Sequence, residues 1–503
     1  MERLTTQLAR IARDAPRRIA MVDGERSIDY GRFRQMASGF AHHLRQAGLH
    51  AGERVALVLP NRIEAAVAVY GIWLAGGVAV PLNAQARARD FLPWLRHCEA
   101  RFVLHESGHR DVEQVLAQWD GTGIPLPCAI ALEPAGALPV ADGGDTWPEP
   151  DADDTLAQLL YTSGTTGDPK GVMLSHANLA ANTRAVVAYL GLVQDDLIVS
   201  VLPFYYAYGA SVLHTHLATG ACVVLGPGLV FPVQVLEALQ RHRATGFSGV
   251  PSTYILLLDL LERGGHDLSS LRYLTQAGGA MPPAVADRVR QALPAARLFL
   301  MYGQTEATSR ISWLPPERLD EKRGSVGIPV QDTQWRICRD DGSPAGPGES
   351  GEVCVSGPGI MLGYWRNADA TAKALRDGWL RTGDVGQLDA EGFLFLQGRR
   401  SDMIKTGAHR VHPTDVEEVI AELPGIREVA VVGIDDATLG QVIKAFVVAD
   451  EPVPRAEDRI KAHCRARLAA YKIPRHITFV DTLPRTASGK VRRIQLTEQT
   501  ASP

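Results

Sequence analysis

The N-terminal part of the chain alternates between short apolar runs and longer segments in which apolar residues recur at helical spacing. Residues 54–59 predict a buried strand, residues 64–75 a helix, and residues 78–82 the next strand. Near-continuous apolar strands that are joined by short connections through helices are typical of parallel sheets. The same order returns later, with strands predicted at 221–225, 271–275 and 297–301, and helices at 234–243 and 284–293.

Two segments depart from this alternation. Residues 4–48 carry helical periodicity around a short extended piece at 27–30. Residues 131–154 combine Asp and Glu with Pro and Gly, which predicts an acidic surface loop with no function of its own.

The pattern changes again in the C-terminal part. Residues 324–396 predict a small β subdomain, because short strands there are separated by Gly, Pro and Asp. A boundary is expected at 398–402, followed by a unit of about 100 residues, within domain size. Its predicted helices lie at 415–423 and 457–470, and its strands at 427–434, 442–449 and 475–480.

These patterns predict an α/β multi-domain protein. The N-terminal domain, residues 1–398, is expected to contain layered, mostly parallel sheets with helices and the small β subdomain. A small, mobile α+β C-terminal domain is expected at residues 399–503.

Composition argues against several classes of protein and site. Hydrophobic residues are 46% and charged residues 21% of the 503, as in ordinary soluble proteins, and a net charge of -4 does not favour nucleic acid as a partner. The six cysteines are scattered, which argues against zinc or disulfides and predicts a reducing cytoplasm. The uncharged segments 65–82 and 197–236 are interrupted by Gly and Pro, so we expect no transmembrane segment.

A loop rich in hydroxyls and glycine follows the apolar run 157–161. Glycines let backbone N–H groups approach an anion, hydroxyls add donors, and a lysine adds charge, so the loop is a candidate polyphosphate site. Because Lys170 is followed by Gly171, the spacing is not that of the P-loop NTPases. A plain flexible turn is the alternative. The candidate nucleotide-binding residues are Thr162, Ser163, Gly164, Thr165, Thr166, Gly167 and Lys170.

A second polar segment, residues 301–306 (MYGQTE), begins at the end of a predicted parallel strand. Ligands gather at the carboxyl ends of such strands. The Glu306 carboxylate could hold Mg²⁺ against phosphate oxygens, and an aromatic ring could stack on a base. The alternative is a polar loop with a solvated glutamate.

Together these segments resemble the motifs of the adenylate-forming superfamily, which includes acyl-CoA synthetases, adenylation domains of peptide synthetases and luciferases. The resemblance extends over almost the whole chain. It implies that Tyr302, followed by Gly303, packs against adenine, that Thr305 contacts the α-phosphate, and that Glu306 binds magnesium. It also implies that Gly278, Gly279 and Ala280 line the other side of the adenine, and that Asp384 and Arg399 bind the ribose.

The resemblance extends to two lysines of the C-terminal unit. Lys490 resembles the family's catalytic lysine, which bridges the carboxylate and the α-phosphate; a cation there reduces the repulsion between two anions. Lys405 resembles a lysine that enters the active site after the small domain rotates. Ser401 and Ala408 depart from the family pattern at the hinge and beside the thiol tunnel.

The implied reaction has two steps, with ATP, Mg²⁺ and CoA as cofactors. A carboxylate attacks the α-phosphorus of ATP to form an acyl adenylate, and a thiol then forms the thioester. The implied acid pocket contains Tyr206, Ser248, Gly249 and Gly279. Because segment 197–236 has no carboxylate to pair with an ammonium, we expect an apolar fatty or aryl acid, as in fatty acid metabolism, rather than an α-amino acid.

Two alternatives remain at this stage. One is a ligase that loads the acid onto an acyl carrier protein. The other is a non-catalytic relative, which is disfavoured because the charged residues of the motifs are present.

Overall fold

The computed structural model describes residues 2–119, 123–134, 136–140, 155–162, 170–407, 409–436, 439–449, 456–486 and 489–498. Within these residues the chain forms four β-sheets surrounded by helices. The helices are α1 (Leu4–Asp14), α2 (Tyr30–Gln46), α3 (Ile63–Leu74), α4 (Ala88–His97), α5 (Arg110–Ala117), α6 (His176–Leu190), α7 (Ala207–Thr219), α8 (Pro232–Arg241), α9 (Pro251–Arg263), α10 (Pro283–Ala292), α11 (Ala368–Ala374), α12 (Pro413–Ala421), α13 (Ala456–Arg467) and α14 (Arg493–Glu498).

The strands are β1 (Ile19–Asp23), β2 (Arg26–Asp29), β3 (Arg54–Val58), β4 (Val78–Pro81), β5 (Ala100–Glu106), β6 (Cys128–Leu132), β7 (Leu156–Thr162), β8 (Lys170–Ser175), β9 (Leu197–Ser200), β10 (Cys222–Leu225), β11 (Gly246–Gly249), β12 (Tyr273–Gln276), β13 (Arg297–Tyr302), β14 (Ser312–Leu314), β15 (Ile328–Pro329), β16 (Gln334–Cys338), β17 (Gly351–Ser356), β18 (Gly363–Tyr364), β19 (Leu375–Arg376), β20 (Trp379–Leu388), β21 (Leu394–Arg399), β22 (Ile404–Thr406), β23 (His409–Val411), β24 (Ile426–Asp436), β25 (Gly440–Ala449) and β26 (His476–Phe479).

Two large sheets contain most of these strands. The nine-stranded sheet has the order β15-β14-β13-β12-β11-β9-β10-β1-β2, and its strands from β13 to β1 are parallel. The seven-stranded sheet has the order β18-β8-β7-β4-β3-β5-β6 and is parallel from β7 to β6. The predicted α/β fold with layered, mostly parallel sheets is confirmed.

The core between these two sheets contains α3. This helix contacts β4 of one sheet and β1 of the other, and nearly all of its residues are buried. A Cβ on Gly71 would lie 2.9 Å from the carbonyl oxygen of Ala37, so only glycine permits the close approach of α2 and α3. The Trp73 indole donates a hydrogen bond to the carbonyl oxygen of Ala157 at 2.8 Å, which connects α3 to β7.

The N-terminal segment differs from its prediction, because Ile19–Asp23 forms a strand where helical periodicity predicts a helix. Ala20 and Met21 are fully buried, and β1 pairs in parallel with β10, with Met21 opposite Val223. Pairing with a strand so distant along the chain overrides the local pattern. The predicted loop 131–154 also begins within β6, and its residues 141–154 lie outside the described residues.

Two five-stranded sheets occupy the C-terminal part. The sheet β16-β17-β20-β19, with β21 beside β20, forms most of the predicted β subdomain, whereas β15 and β18, also within residues 324–396, join the two large sheets. The other sheet begins at Ile404 and has the order β23-β22-β25-β24, with β26 beside β25. The two units touch, because the Arg400 guanidinium lies 2.8 Å from the Asp340 carboxylate. The domain boundary at 398/399 stays a prediction. Among the described helices, none is long and apolar enough to cross a membrane.

Candidate active site

Two of the predicted nucleotide-binding segments follow neighbouring parallel strands. β12 ends at Gln276 and β13 ends at Tyr302. The Gln276 amide donates a hydrogen bond to the carbonyl oxygen of Gly279 at 2.8 Å, which holds the turn after β12, while Gly279 and Ala280 are exposed. Gly278 adopts a φ of 86°, a conformation that favours glycine. Because neighbouring parallel strands end at one edge of a sheet, both segments border one cleft.

Gly303 lets the chain fold back sharply after β13. A Cβ at this position would overlap the carbonyl oxygen of Ser309, so the turn requires glycine. Within the turn, Thr305–Ala307 forms a short 3-10 helix, and Thr305 and Glu306 are both partly exposed. A hydroxyl and a carboxylate are therefore available beside the cleft.

The predicted ribose-binding pair lies next to Tyr302. The Tyr302 hydroxyl donates a hydrogen bond to Asp384 Oδ2 at 2.6 Å, and Arg399 Nε lies 3.2 Å from Asp384 Oδ1. Burial raises the pKa of the Asp384 carboxyl, while the Arg399 guanidinium and the Tyr302 hydroxyl act in the opposite direction. The backbone N–H of Asp384 donates to Thr382 Oγ1 at 3.1 Å. The structure thus brings together residues from β13, β20 and β21.

Glu306 and Lys170 are connected through Tyr364, which the sequence analysis did not select. The Tyr364 hydroxyl donates a hydrogen bond to Glu306 Oε1 at 2.9 Å, and Lys170 Nζ lies 5.9 Å from the centre of the Tyr364 ring. β18, which contains Tyr364, pairs with β8, which begins at Lys170. The predicted loop residues Ser163, Gly164, Thr165, Thr166 and Gly167 lie outside the described residues, whereas Thr162 and Lys170 are at the described ends of β7 and β8.

Lys490 reaches this cleft from the C-terminal unit. Its pKa is lowered by loss of hydration and by Arg399, while Asp384 and Glu306 oppose that shift. The preceding Gly489 has a φ of 82°, and a Cβ there would lie 3.0 Å from Ser252 Oγ at the start of α9. Lys490 itself keeps an exposed surface. The predicted catalytic lysine is therefore electrostatically coupled to the predicted metal and ribose ligands.

Lys405 lies elsewhere on the C-terminal unit. It is exposed on β22, and its backbone N–H donates to Gln441 Oε1 at 2.9 Å. Arg410 is its partner across the β22–β23 hairpin. Lys405 is not among the groups that act on the pKa of Asp384. Its role in the active site after rotation of the small domain stays a prediction. Ala408 lies outside the described residues.

Ser248 of the predicted acid pocket belongs to a buried cluster of hydroxyl groups. Ser248 Oγ lies 2.6 Å from Thr275 Oγ1, and the Tyr208 hydroxyl lies 2.8 Å from the same atom. The Tyr254 hydroxyl donates to the carbonyl oxygen of Thr275 at 2.9 Å. Tyr206 is only partly buried. Local sequence gave no sign of Thr275, which lies inside an ordinary apolar strand.

Gly249 and Gly279 of the predicted acid pocket lie where the backbone packs closely against neighbouring side chains. A Cβ on Gly249 would lie 3.0 Å from Thr253, and a Cβ on Gly279 would lie 3.3 Å from Pro251 Cγ. The turn after β12 therefore packs directly against the start of α9.

Comparison with known proteins agrees with this arrangement. The family model described as AMP-binding enzyme matches residues 8–365, and the model described as AMP-binding enzyme C-terminal domain matches residues 415–490. The chain belongs to the AMP-binding enzyme family. Feruloyl-CoA synthase from Amycolatopsis sp is 35% identical to this AMP-binding enzyme, with 96% of each chain covered. A 2-succinylbenzoate–CoA ligase from Bacillus licheniformis is 34% identical, with 96% of this chain and 97% of the relative covered.

A solved structure shares the whole architecture. O-succinylbenzoate coenzyme A synthetase from Bacillus subtilis, in complex with ATP and magnesium ion, has a TM-score of 0.85 and 32% identity, with 97% of this chain and 98% of the other covered. This AMP-binding enzyme falls within the acyl-CoA synthetase branch. It is an AMP-forming acid–thiol ligase that uses ATP, Mg²⁺ and CoA.

The residues at the cleft fit a magnesium ion that is held mainly by the nucleotide. Mg²⁺ is usually bound by one or two carboxylates together with phosphate oxygens and water. Glu306 offers one carboxylate, whose Oε1 is oriented by Tyr364. Within the described part of the chain, no group of three or more His, Cys, Asp or Glu side chains could hold a metal ion. When bound, Mg²⁺ would neutralise phosphate charge beside Glu306.

Replacing Tyr364 with phenylalanine tests this orientation. Loss of the hydroxyl leaves Glu306 free to turn, so we expect the Mg²⁺ concentration for half-maximal adenylation to rise about 10-fold, as for other partners of metal ligands. Pyrophosphate release measured across a Mg²⁺ titration gives this value. Tyr30→Phe is the control, since its hydroxyl donates to the carbonyl oxygen of Ala221 at 2.6 Å and not to Glu306. An unchanged Mg²⁺ dependence in Tyr364→Phe would contradict the orienting role.

Proposed function

We propose that this enzyme activates an aryl carboxylic acid as an acyl adenylate and then transfers the acyl group to CoA. The observation that carries the proposal is that Asp384 contacts Arg399 and Tyr302, while Gly489, which precedes Lys490, packs against Val250 and Ser252, just after the predicted pocket residues Ser248 and Gly249. A fatty acid is the second candidate within the same reaction.

The aromatic residues around the pocket favour a ring over a long chain. Tyr206 and Tyr205 have ring centres 4.3 Å apart at the start of α7. Tyr208 and Tyr254 are buried, and both hydroxyls donate hydrogen bonds to the carbonyl oxygen of Thr275. Aromatic rings pack well against tyrosine side chains, so this surrounding favours a ring in the acid. Two curated relatives, named for ferulate and for succinylbenzoate, are consistent with an aryl acid.

Each residue of the cleft has a proposed part in adenylation. Lys490 bridges the acid carboxylate and the α-phosphate, with Thr305 as a further α-phosphate contact. Glu306 holds Mg²⁺, and Lys170 with the loop of Thr162 and residues 163–167 holds the triphosphate. Tyr302 and the segment of Gly278, Gly279 and Ala280 enclose the adenine, and Asp384 with Arg399 binds the ribose. Gly303 permits the turn, and Tyr206, Ser248, Gly249 and Gly279 surround the acid.

The second step requires another arrangement of the C-terminal unit. Lys490 and Lys405 lie on different parts of that unit, so one orientation cannot place both at the acyl adenylate. We therefore propose that residues 399–503 rotate relative to residues 1–398, and that Lys405 then replaces Lys490 beside the cleft. Lids and domains that close in turn over one site are a common way to separate two steps.

The test is mass spectrometry of the protein with Mg-ATP, CoA and a panel of aryl, fatty and amino acids. Aryl-CoA as the main product is the expected result. Fatty acyl-CoA would replace the aryl proposal by the fatty one. Acyl adenylate without thioester would favour a carrier-protein acceptor, and a panel that gives neither product would favour a non-catalytic relative.

A further inference from the structure

The lysine segment, residues 483–492, is fixed at its base to the C-terminal unit. Arg485 and Val491 pair with each other in an antiparallel arrangement across the segment. Leu483 is buried, and it packs with Val491 in an apolar cluster that includes residues of β24 and β25. The two ends of the lysine segment therefore lie against this sheet, while Lys490 extends from it toward the cleft.

Arg485 connects the backbone beside Lys490 to the same sheet. Its Nη1 donates a hydrogen bond to the carbonyl oxygen of Gly489 at 2.6 Å, and its Nη2 donates to Glu428 Oε1 on β24 at 2.5 Å. Hydrogen bonds to a carboxylate from a guanidinium are stronger than those between neutral groups. One planar group thus joins the peptide directly before Lys490 to a half-buried carboxylate of the sheet.

The backbone at Gly489 has little else to fix its direction. It adopts a φ of 82°, in the region that favours glycine, and a glycine has no side chain that could hold it in place. A Cβ there would lie 3.0 Å from Ser252 Oγ and 3.1 Å from Val250 Cγ2, beside the start of α9. Because the approach is so close, a small shift of Gly489 would displace Lys490 relative to the cleft.

Three other hydrogen bonds shape the turn but act only within the lysine segment. The N–H of Thr486 donates to the carbonyl oxygen of Lys490 at 2.7 Å, and the N–H of Gly489 donates to the carbonyl oxygen of Thr486 at 2.9 Å. The N–H of Lys490 donates to Thr486 Oγ1 at 3.1 Å. These bonds set the form of the turn, whereas the bonds of Arg485 set its orientation on the sheet.

We propose that Arg485 is a positioning residue for adenylation, which directs Lys490 into the cleft by holding the Gly489 carbonyl against Glu428. The inference rests on the proposed function, because it takes Lys490 as the group that bridges the acid and the α-phosphate. Arg485 acts only through Lys490. It should therefore affect the first step of the reaction and not the second, in which Lys490 has no part.

The test measures the two steps separately in Arg485→Gln. Pyrophosphate release without CoA gives the first step, with cinnamate, benzoate and octanoate as the acids. Thioester formation from CoA and supplied acyl adenylate gives the second step. Because a misplacement of about 1 Å can cost about 100-fold in rate, we expect kcat for adenylation to fall by about 10- to 100-fold. KM for ATP and the rate of the second step should stay unchanged.

A merely structural role of Arg485 would give a different result. Damage to the C-terminal unit would slow both steps, because both steps use that unit. Equal losses in the two steps of Arg485→Gln would therefore overturn the proposal, and so would an unchanged first step.

Coupling between Arg485 and Lys490 gives a second readout. In a Lys490→Ala background, Arg485→Gln should cause no further loss of adenylation, because the group that Arg485 directs is already gone. The same fold loss in the presence and in the absence of Lys490 would overturn the proposal.

Three further variants serve as rescue, replacement and control. Arg485→Lys keeps the charge but lacks the fork that reaches both acceptors, so it should recover part of the rate. Glu428→Ala removes the carboxylate and should slow adenylation alone by a smaller factor; it decides the question if Arg485→Gln does not fold, and a wild-type rate would overturn the proposal. Arg475→Gln is the matched control, because Arg475 donates to Asp436 of β24 at 2.9 Å and should leave adenylation unchanged.

The outcomes are distinct from those of the proposed function. Faster adenylation of octanoate than of the aryl acids would replace the class of acid and leave the Arg485 comparison intact. A slow Lys490→Ala with a wild-type rate in Arg485→Gln would retain the proposed function and overturn the Arg485 proposal. A wild-type rate in Lys490→Ala would overturn both.

Hydrogen exchange measured by mass spectrometry gives a readout that needs no acid. If none of the three acids releases pyrophosphate, the proposed function is contradicted, and exchange of the lysine segment decides about Arg485. Faster exchange there in Arg485→Gln, with unchanged exchange in β25, supports the proposal. Unchanged exchange of the lysine segment overturns it.

Discussion

Replacing Lys490 with alanine is expected to slow acyl adenylate formation by about 100- to 1,000-fold, the cost typical of removing one group that stabilises developing charge. Lys490 shares the cleft with Asp384, Glu306 and Arg399, where the carboxylate of the acid must approach the α-phosphate. Without the ammonium group, no positive charge would reduce the repulsion between the carboxylate of the acid and the α-phosphate. Pyrophosphate release in the absence of CoA measures this step alone.

The controls for Lys490 use another lysine and the second step. Lys405→Ala should leave adenylation unchanged, because Lys405 is exposed on β22 away from the cluster around Asp384. Thioester formation from supplied acyl adenylate should persist in Lys490→Ala. Since the pKa of Lys490 is lowered, the adenylation rate of the wild-type enzyme should fall as the pH rises through that lowered pKa. Adenylation at the wild-type rate in Lys490→Ala would rule out the bridging role.

Replacing Asp384 with asparagine is expected to raise the KM for ATP by about 10- to 100-fold, the scale of charged hydrogen bonds. The carboxylate accepts from Tyr302 at 2.6 Å and faces Arg399 at 3.2 Å, so its loss weakens ribose binding and leaves Arg399 without its anion. Steady-state adenylation at varied ATP measures the change.

Deoxynucleotides distinguish ribose binding from a structural role for Asp384. The wild-type enzyme should use 2′-deoxy-ATP and 3′-deoxy-ATP less well than ATP, because each lacks a ribose hydroxyl that would donate a hydrogen bond to the Asp384 carboxylate. Asp384→Asn should lose most of that discrimination. Tyr302→Phe, which removes the 2.6 Å partner but keeps the carboxylate, should preserve it. A variant that loses equal activity on all three nucleotides would show that Asp384 acts only through the fold.

The fold class could be predicted because its signals are local. The strands β3 and β4 are apolar on both faces. The length of α3 between them could be predicted from its own residues, without knowledge of what it packs against. Helix ends were predicted within a few residues at α3, α8 and α10. The strand β1 was missed, because its partner β10 lies far along the chain and only the assembled sheet buries Met21.

The sequence by itself determined the order of the motifs and the chemical groups that they offer: hydroxyls and a lysine for phosphate, carboxylates for ribose and metal, and a second lysine near the C-terminus. The spacing of residues along the chain is enough to identify these groups, because each motif is one continuous segment of the sequence.

Only the tertiary structure decided which residues support those groups from a distance. Tyr364 reaches Glu306 from β18, and Thr275 connects Tyr208 to Ser248. These contacts join residues of different elements. The charge balance of a pocket depends on what surrounds each group in space, and that is set by packing rather than by sequence distance.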